Sequence, residues 1–191
     1  MIIRPVDLPA DRTDLLNLDT SYVTGRIYTV VATPASFSLV ESTVEPPLHK
    51  SFPLQEELGD DRLWDQGFVA VNDGAIVGFA AVRHEVWNRR ADIWHLYVAP
   101  EQRGRGVGRL LLAAVTAYAQ QIGVRCLWLE TSNVNYPAIQ FYRRAGFRWC
   151  GLDQALYTPD GEAAGETAIF FTRDLAVTRQ DPRLELPIPM L

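Results

Sequence analysis

The spacing of apolar residues changes several times along this 191-residue chain, and each change predicts a new element. From Arg90 to Val98, the aliphatic, β-branched and aromatic positions around Ile93, Leu96 and Val98 suit a strand buried on both faces, ended by Pro100. Beyond it, Leu110, Leu111, Ala114, Val115, Tyr118 and Ile122 recur every three or four residues, the pattern of a helix with one apolar face, and Gly123 suits its end. Upstream, Phe68 to Val71 and Ala75 to Val86 predict a hairpin through Asn72-Asp73-Gly74, a sequence that readily takes positive φ.

Weaker patterns fill in the rest. Met1 to Val6 suits a short strand, and Leu8 to Asp19 a short helix or turn. Tyr22 to Val31 and Ser36 to Val44 alternate well enough for two strands around Thr33 to Ala35. Glu45 to Asp61, with three prolines, a glycine and five acids, reads as a loop or short helical excursion. Toward the end, a strand at Leu127 leads to a short helix with Pro137 in its first turn and Gly146 at its close. Phe147 to Leu156 and Thr167 to Leu175 then form an antiparallel pair around the polar loop Thr158 to Glu166. The order of strand meander, helix, strand, helix and strand pair predicts one α/β (α+β) domain over residues 1–178, a mixed sheet with helices packed on it. Residues 179–191, with Pro182, Pro187 and Pro189, form a tail that cannot be a regular helix.

The densest chemistry lies at Arg103-Gly104-Arg105-Gly106-Val107-Gly108-Arg109, between the strand and the helix. Glycines there let the backbone approach a ligand closely, and free amides converge at a helix start that favours anions. The spacing fails the dinucleotide fingerprint, because the sixth residue from Gly104 is Arg109, and no Gly-Lys-Ser/Thr follows for a triphosphate loop. Arg103-x-x-Gly106-x-Gly108 instead resembles the pyrophosphate loop of the GCN5-related N-acetyltransferases (GNAT). A second stretch, LWLETSNVNYPAIQFYRRAGF from Leu127 to Phe147, resembles that family's other cofactor segment through Asn135, Ala138, Tyr142, Gly146 and Phe147. YVTGRI, LETSN, GLDQALYT and AIFFTRDL together look like the streptothricin-acetyltransferase-like members, in which adjacent acids stand where this chain has Trp94 and His95.

The resemblance implies a GNAT fold with a mixed, mostly antiparallel sheet of about six to seven strands. It further implies acetyl-coenzyme A as co-substrate and an acetyl transfer to the primary amine of a small molecule, such as a cationic antibiotic, by direct attack in a ternary complex. Carried over residue by residue, the amides around Tyr97 and Val98 orient the pantetheine arm, and residues 103–109 with Asn135 and Ala138 hold the rest of the cofactor. Tyr142 protonates the leaving thiolate. An attacking amine must also lose a proton, and His95 on the central strand is the candidate base because imidazole titrates in the useful range. Glu130, Glu85 and His84 are reserve candidates for the base, Trp94, Glu130 and Glu85 are candidate acceptor-binding residues, and Trp87 with Trp94 offers a ring to stack on a cationic or aromatic acceptor. Regular alternation puts Trp94 and His95 on opposite faces. A protein that binds acyl-coenzyme A without turnover and a peptide acetyltransferase remain open alternatives.

Composition adds bounds. A formal charge of -5 argues against a nucleic-acid binder relying on a basic surface and favours a cationic small substrate. Cys126 and Cys150 have no metal-ligand spacing and predict reduced, buried thiols in a cytoplasmic protein, with no metal. No apolar run is long enough to span a membrane, so no membrane partner is expected, and the resemblance admits a homodimer.

Overall fold

In the computed structural model, which describes residues 1–175, a seven-stranded sheet carries helices on both faces. The elements in chain order are β1 (Ile2–Pro5), α1 (Leu8–Leu16), β2 (Tyr22–Thr33), β3 (Ser36–Lys50), β4 (Gln66–Asn72), β5 (Ala75–Glu85) and β6 (Arg90–Val98). They continue with α2 (Val107–Gln121), β7 (Cys126–Ser132), α3 (Tyr136–Arg144), β8 (Arg148–Asp153) and β9 (Ala168–Asp174). The sheet order is β1-β4-β5-β6-β7-β9-β8, antiparallel except where β6 meets β7, and β2 and β3 form a separate two-stranded ribbon. Residues 179–191 of the expected tail lie outside the described residues, as does the end of the expected domain at 178.

The β4–β5 hairpin turns through Asp73 (φ 49°) and Gly74 (φ 83°), the paired positive φ that matches strand twist in a two-residue turn. Helix α2 starts at Gly106 (φ 89°) and passes into Gly123 (φ 71°), whereas α3 ends at Gly146 (φ 84°). The buried stripe of α2 is Val107, Leu111, Leu112, Val115 and Ala119, while Leu110 is 45% exposed. The expected stripe was therefore off by part of a turn, because Leu110 and Leu112 flank the same face and periodicity alone cannot rank them.

Two cores lie on opposite faces of the sheet. One packs α2 and α3 against Val82, Ile93, Leu127, Leu129, Ile169 and Phe171. The other packs α1 and the segment after β3 against Val69, Phe79 and Ala81 through Leu15, Leu54, Leu58 and Trp64. That segment corrects the expected loop from Glu45, since β3 continues to Lys50. Pro46 and Pro47 fit inside it because Val44 to Pro47 bulge opposite Gly25, between the pairs Arg26↔Thr43 and Thr24↔Leu48, where no ladder N–H is required. Cys126 is buried as expected, but Cys150 is exposed because it sits at a register break in edge strand β8, between Trp149 and Gly151.

β9 inserts between β7 and β8, and its fully buried Phe171 packs against Trp149 at 4.2 Å between ring centroids and against Tyr142 at 6.2 Å. Phe171→Ala should lower unfolding stability by about 3–5 kcal/mol through lost transfer energy and a residual cavity. A urea titration followed by tryptophan fluorescence measures this; a loss under about 1 kcal/mol would mean that the cluster repacks.

Candidate active site

β6 and β7 pair over three residues, Arg90↔Cys126 to Asp92↔Trp128, and then part. Past Asp92, β6 remains bonded to β5 on its other edge, with Phe79↔Tyr97 and Gly78↔Val98 in register. The edge of β6 that faces β7 is therefore left open past Asp92, toward Val98. A cavity of about 520 Å³ occupies the gap, with the β6 end, the loop Gln102 to Arg109 and the α3 residues Pro137, Ala138, Phe141 and Tyr142 around it.

The loop is built to leave amides free. Gly104 and Gly106 have φ of 76° and 89°, and a Cβ at either would meet nothing within 4 Å, so their outer side is open. The N–H groups of Gly104 to Gly108 donate to no backbone carbonyl among the described residues, whereas the Gly106 carbonyl already accepts from Arg109 and Leu110. Five unclaimed amides at the start of a fifteen-residue helix make a concave donor surface for an anion. Gly108 meets a different need, since a Cβ there would press on Phe141 at 3.2 Å, where α2 packs on α3. Arg103 reaches back from the loop, donating to the Val98 carbonyl at 2.8 Å and to the Ser21 carbonyl. Its guanidinium thereby ties the loop to β6 and to the start of β2. Val107 is buried, so it offers the cavity its amide more than its side chain.

Asn135 caps α3, accepting from the Ala138 amide at 3.2 Å, with Pro137 in the first turn. That cap aims the helix so that Tyr142, two turns on, is buried against Phe141, Phe147 and Phe171 and still borders the cavity. Burial, reinforced by Tyr97 and by the Glu130 carboxylate, pushes the Tyr142 phenol well above its ordinary range. The hydroxyl stays protonated at any working pH, as a proton donor must.

A stacked aromatic wall runs from the cavity to the other face of the sheet. Tyr22 and Phe52 lie 6.1 Å apart, Phe52 and Tyr97 6.1 Å, and Tyr97 and His95 5.6 Å. The Tyr22 hydroxyl is buried with no hydrogen-bond partner among the described residues. Burial, then the carboxylates of Glu57 and Glu130, push the Tyr97 phenol up. Glu130, itself raised by burial, accepts a hydrogen bond from Tyr157 of the β8–β9 loop.

His95 and Trp94 depart from regular alternation. Val82 pairs with Ile93 and Ala81 with His95, so Trp94 is the extra residue of a β-bulge. In consequence both side chains turn to one carboxylate: Trp94 Nε1 and His95 Nε2 each lie 3.2 Å from Glu57 Oε2. His95 is 6% exposed, is not among the residues around the cavity, and encloses its Nδ1 without a partner. Burial holds the ring below the usual imidazole pKa despite Glu57. This corrects the expected placement, because the ring stands one aromatic layer behind the cavity with Nε2 turned to Glu57 and Nδ1 enclosed. Glu85 is corrected as well. It is held by Arg83 at 2.9 Å and pairs with Arg90, eight residues and about 26 Å along β6 from Val98. His84 and Trp87 share that far end, where Trp87 is 82% exposed.

Residues 36–147 match the sequence pattern of the acetyltransferase (GNAT) family. The chain belongs to that family. Its sequence is 42% identical to streptothricin acetyltransferase of Streptomyces lavendulae over 86% of this chain and 90% of that protein. Streptothricin acetyltransferase of Escherichia coli is 26% identical over 86% and 91% of the two chains. The crystal structure of nourseothricin acetyltransferase superimposes with a TM-score of 0.80 at 43% identity, covering 91% of this chain and 97% of that one. A Bacillus anthracis protein solved in complex with acetyl coenzyme A shares the fold, with a TM-score of 0.76 at 24% identity over 91% and 99% of the chains. This GNAT protein is thus an N-acetyltransferase with acetyl-coenzyme A as its co-substrate. Among the described residues no helix is long and apolar enough to cross a membrane, and no cluster of three or more His, Cys, Asp or Glu side chains is placed to hold a metal ion.

Five free amides at one helix start are donors suited to an anion such as a pyrophosphate. Gly106→Ala forces a side chain into positive φ at the centre of them and should weaken acetyl-coenzyme A binding roughly tenfold, with the circular dichroism spectrum retained. Calorimetric titration gives the comparison; unchanged affinity would place the pyrophosphate elsewhere.

Proposed function

We propose that this acetyltransferase transfers acetyl to a primary amine of a cationic small molecule of the streptothricin type, by direct attack in a ternary complex. The observation that carries the reading is the open gap between β6 and β7. It has a free-amide cradle and a protonated Tyr142 on one side and an aromatic, acid-bearing wall on the other. The names of the two relatives above, which are alike over nearly their whole length, supply the acceptor class.

In this reading the amides of Gly104, Arg105, Gly106, Val107 and Gly108 hold the pyrophosphate, with Arg103 and Arg109 at the rim. The open edge of β6 at Tyr97 and Val98 receives the pantetheine arm, in the manner of a strand added to a sheet, and Ala138 with the Asn135 cap bounds it on the α3 side. Placing thioester and amine in one gap makes the attack effectively unimolecular. The reacting amine attacks as the neutral free base, its ammonium proton having passed to solvent; nitrogen bonds to the thioester carbonyl carbon, the C–S bond breaks, the Tyr142 hydroxyl gives its proton to the departing sulfur, and the N–H proton released on forming the amide returns through water to Tyr142. Glu130, on β7 across the gap, faces the acceptor side with Tyr157. A cationic acceptor meets ring faces and negative charge there, both of which attract it.

Thiol release from acetyl-coenzyme A, measured against streptothricin, aminoglycosides, polyamines, amino acids and short peptides, tests the acceptor class. Turnover is expected with streptothricin, and turnover with peptides alone would overturn the reading. For Tyr142→Phe, kcat should fall about a hundredfold or more while acetyl-coenzyme A affinity stays within about twofold. An unchanged kcat would remove Tyr142 as the acid.

A further inference from the structure

Glu57 is the carboxylate for which the fold makes unusual provision. The turn that carries it is fixed at both sides by buried Leu54 and Leu58. Its own backbone N–H bonds to the Leu54 carbonyl at 3.1 Å, and its carbonyl accepts from Trp64 Nε1 at 3.0 Å. Its side chain remains 39% exposed. Trp94 Nε1 can only donate, and with a carboxylate as acceptor His95 Nε2 donates too, so both hydrogen bonds fall on Oε2. The bulge at Trp94 is what lets two consecutive strand residues do this.

Burial disfavours the charged form of the His95 ring, whose Nε2 is turned to Glu57 and whose buried Nδ1 has no partner among the described residues. Among the described residues no lysine or arginine forms an ion pair with Glu57. Arg83, over the Trp94 ring at 5.7 Å, is paired with Glu85. The other carboxylate acting on Tyr97 is Glu130, which adds negative charge. Glu57 is therefore a held, partly exposed carboxylate with no Lys or Arg ion pair among the described residues, although the Arg12 guanidinium bonds the neighbouring Leu58 carbonyl, and it stands at the end of the aromatic wall that starts in the cavity. A surface ion pair needs none of this mounting; a site that must present one carboxylate oxygen to an incoming cation does.

We propose that Glu57 binds an ammonium group of the acceptor through its exposed oxygen Oε1, and that Trp94 and His95 are positioning residues that fix the carboxylate by holding Oε2. This rests on the reading of the acceptor as a cationic amine. It gives His95 a role that matches its burial, since a ring behind the cavity can set the direction of the carboxylate it holds.

Glu57→Gln tests the idea with little risk to the fold, because the amide oxygen can keep accepting from Trp94 and His95 while the charge is lost. With streptothricin as the probe, KM for the acceptor should rise at least tenfold, kcat should stay within about threefold, and acetyl-coenzyme A affinity should not move. The dependence of acceptor KM on salt should also flatten. His95→Phe should raise acceptor KM in the same direction by a smaller factor, and His95→Gln, which restores an N–H donor, should recover part of it. If the wild-type protein acetylates streptothricin and Glu57→Gln leaves KM and its salt dependence unchanged, the inference about Glu57 falls while the acceptor class stands. If the wild-type protein acetylates no cationic amine, the acceptor reading falls and takes the inference with it.

Discussion

The parting of β6 from β7 after Asp92 is the constraint on which the rest of the site depends. A parallel pair held throughout would close this edge of β6 and leave no gap. Once the pair opens, β6 needs support from one side alone, and β5 supplies it along its length. The far side of the opened sheet is closed again by β9, which pairs with all seven residues of β7 and keeps that strand straight. Helices α2 and α3 then fill the apolar face beneath the gap, with Val107, Leu111, Ile139 and Tyr142 in one continuous core. The cofactor groove is thus an interruption in a sheet that is complete on both sides of it.

That arrangement explains why the loop glycines do different jobs. Gly104 and Gly106 face open space and are required for their backbone angles, whereas Gly108 is required because α2 must approach Phe141 of α3. The first two shape the donor surface, and the third brings the two helices close enough that both border one cavity. Gly78, on β5, serves the same closeness from below, since a Cβ there would press on Leu111 at 3.0 Å.

How much of this was legible in the sequence followed from how local the cause was. The turn at Asp73-Gly74, the helix ends at Gly123 and Gly146, and the glycine loop are each written in a few adjacent residues, and each was found. Features set by a partner strand were not. The bulge that carries Pro46 and Pro47 depends on Gly25, twenty residues earlier, and the placement of β9 between β7 and β8 depends on pairing that has no local mark. The bulge at Trp94 belongs to the same class, because alternation read along β6 cannot show that β5 skips a residue. It had the largest consequence, since it moved His95 from the cavity to the carboxylate behind it. Glu57 went unnoticed among five acids in a proline-rich stretch, although Leu54 and Leu58, four residues apart around it, were a signal that this part of the loop is anchored in a core.

Burial then decides what each titratable group can do. Tyr142 and Tyr97 are both driven toward the neutral phenol by desolvation, with nearby carboxylates pushing the same way, so neither can serve as a base and either can donate a proton. Only Tyr142 combines that property with a place on α3 at the rim of the cavity, across from the open edge of β6. His95 is driven to the neutral imidazole by the same desolvation, and its one useful proton is committed to Glu57. The division of labour across the gap is therefore electrostatic. Neutral donors, the loop amides and the Tyr142 phenol, border the cavity, and the Glu57 carboxylate, without a Lys or Arg ion pair among the described residues, stands at the end of the aromatic wall.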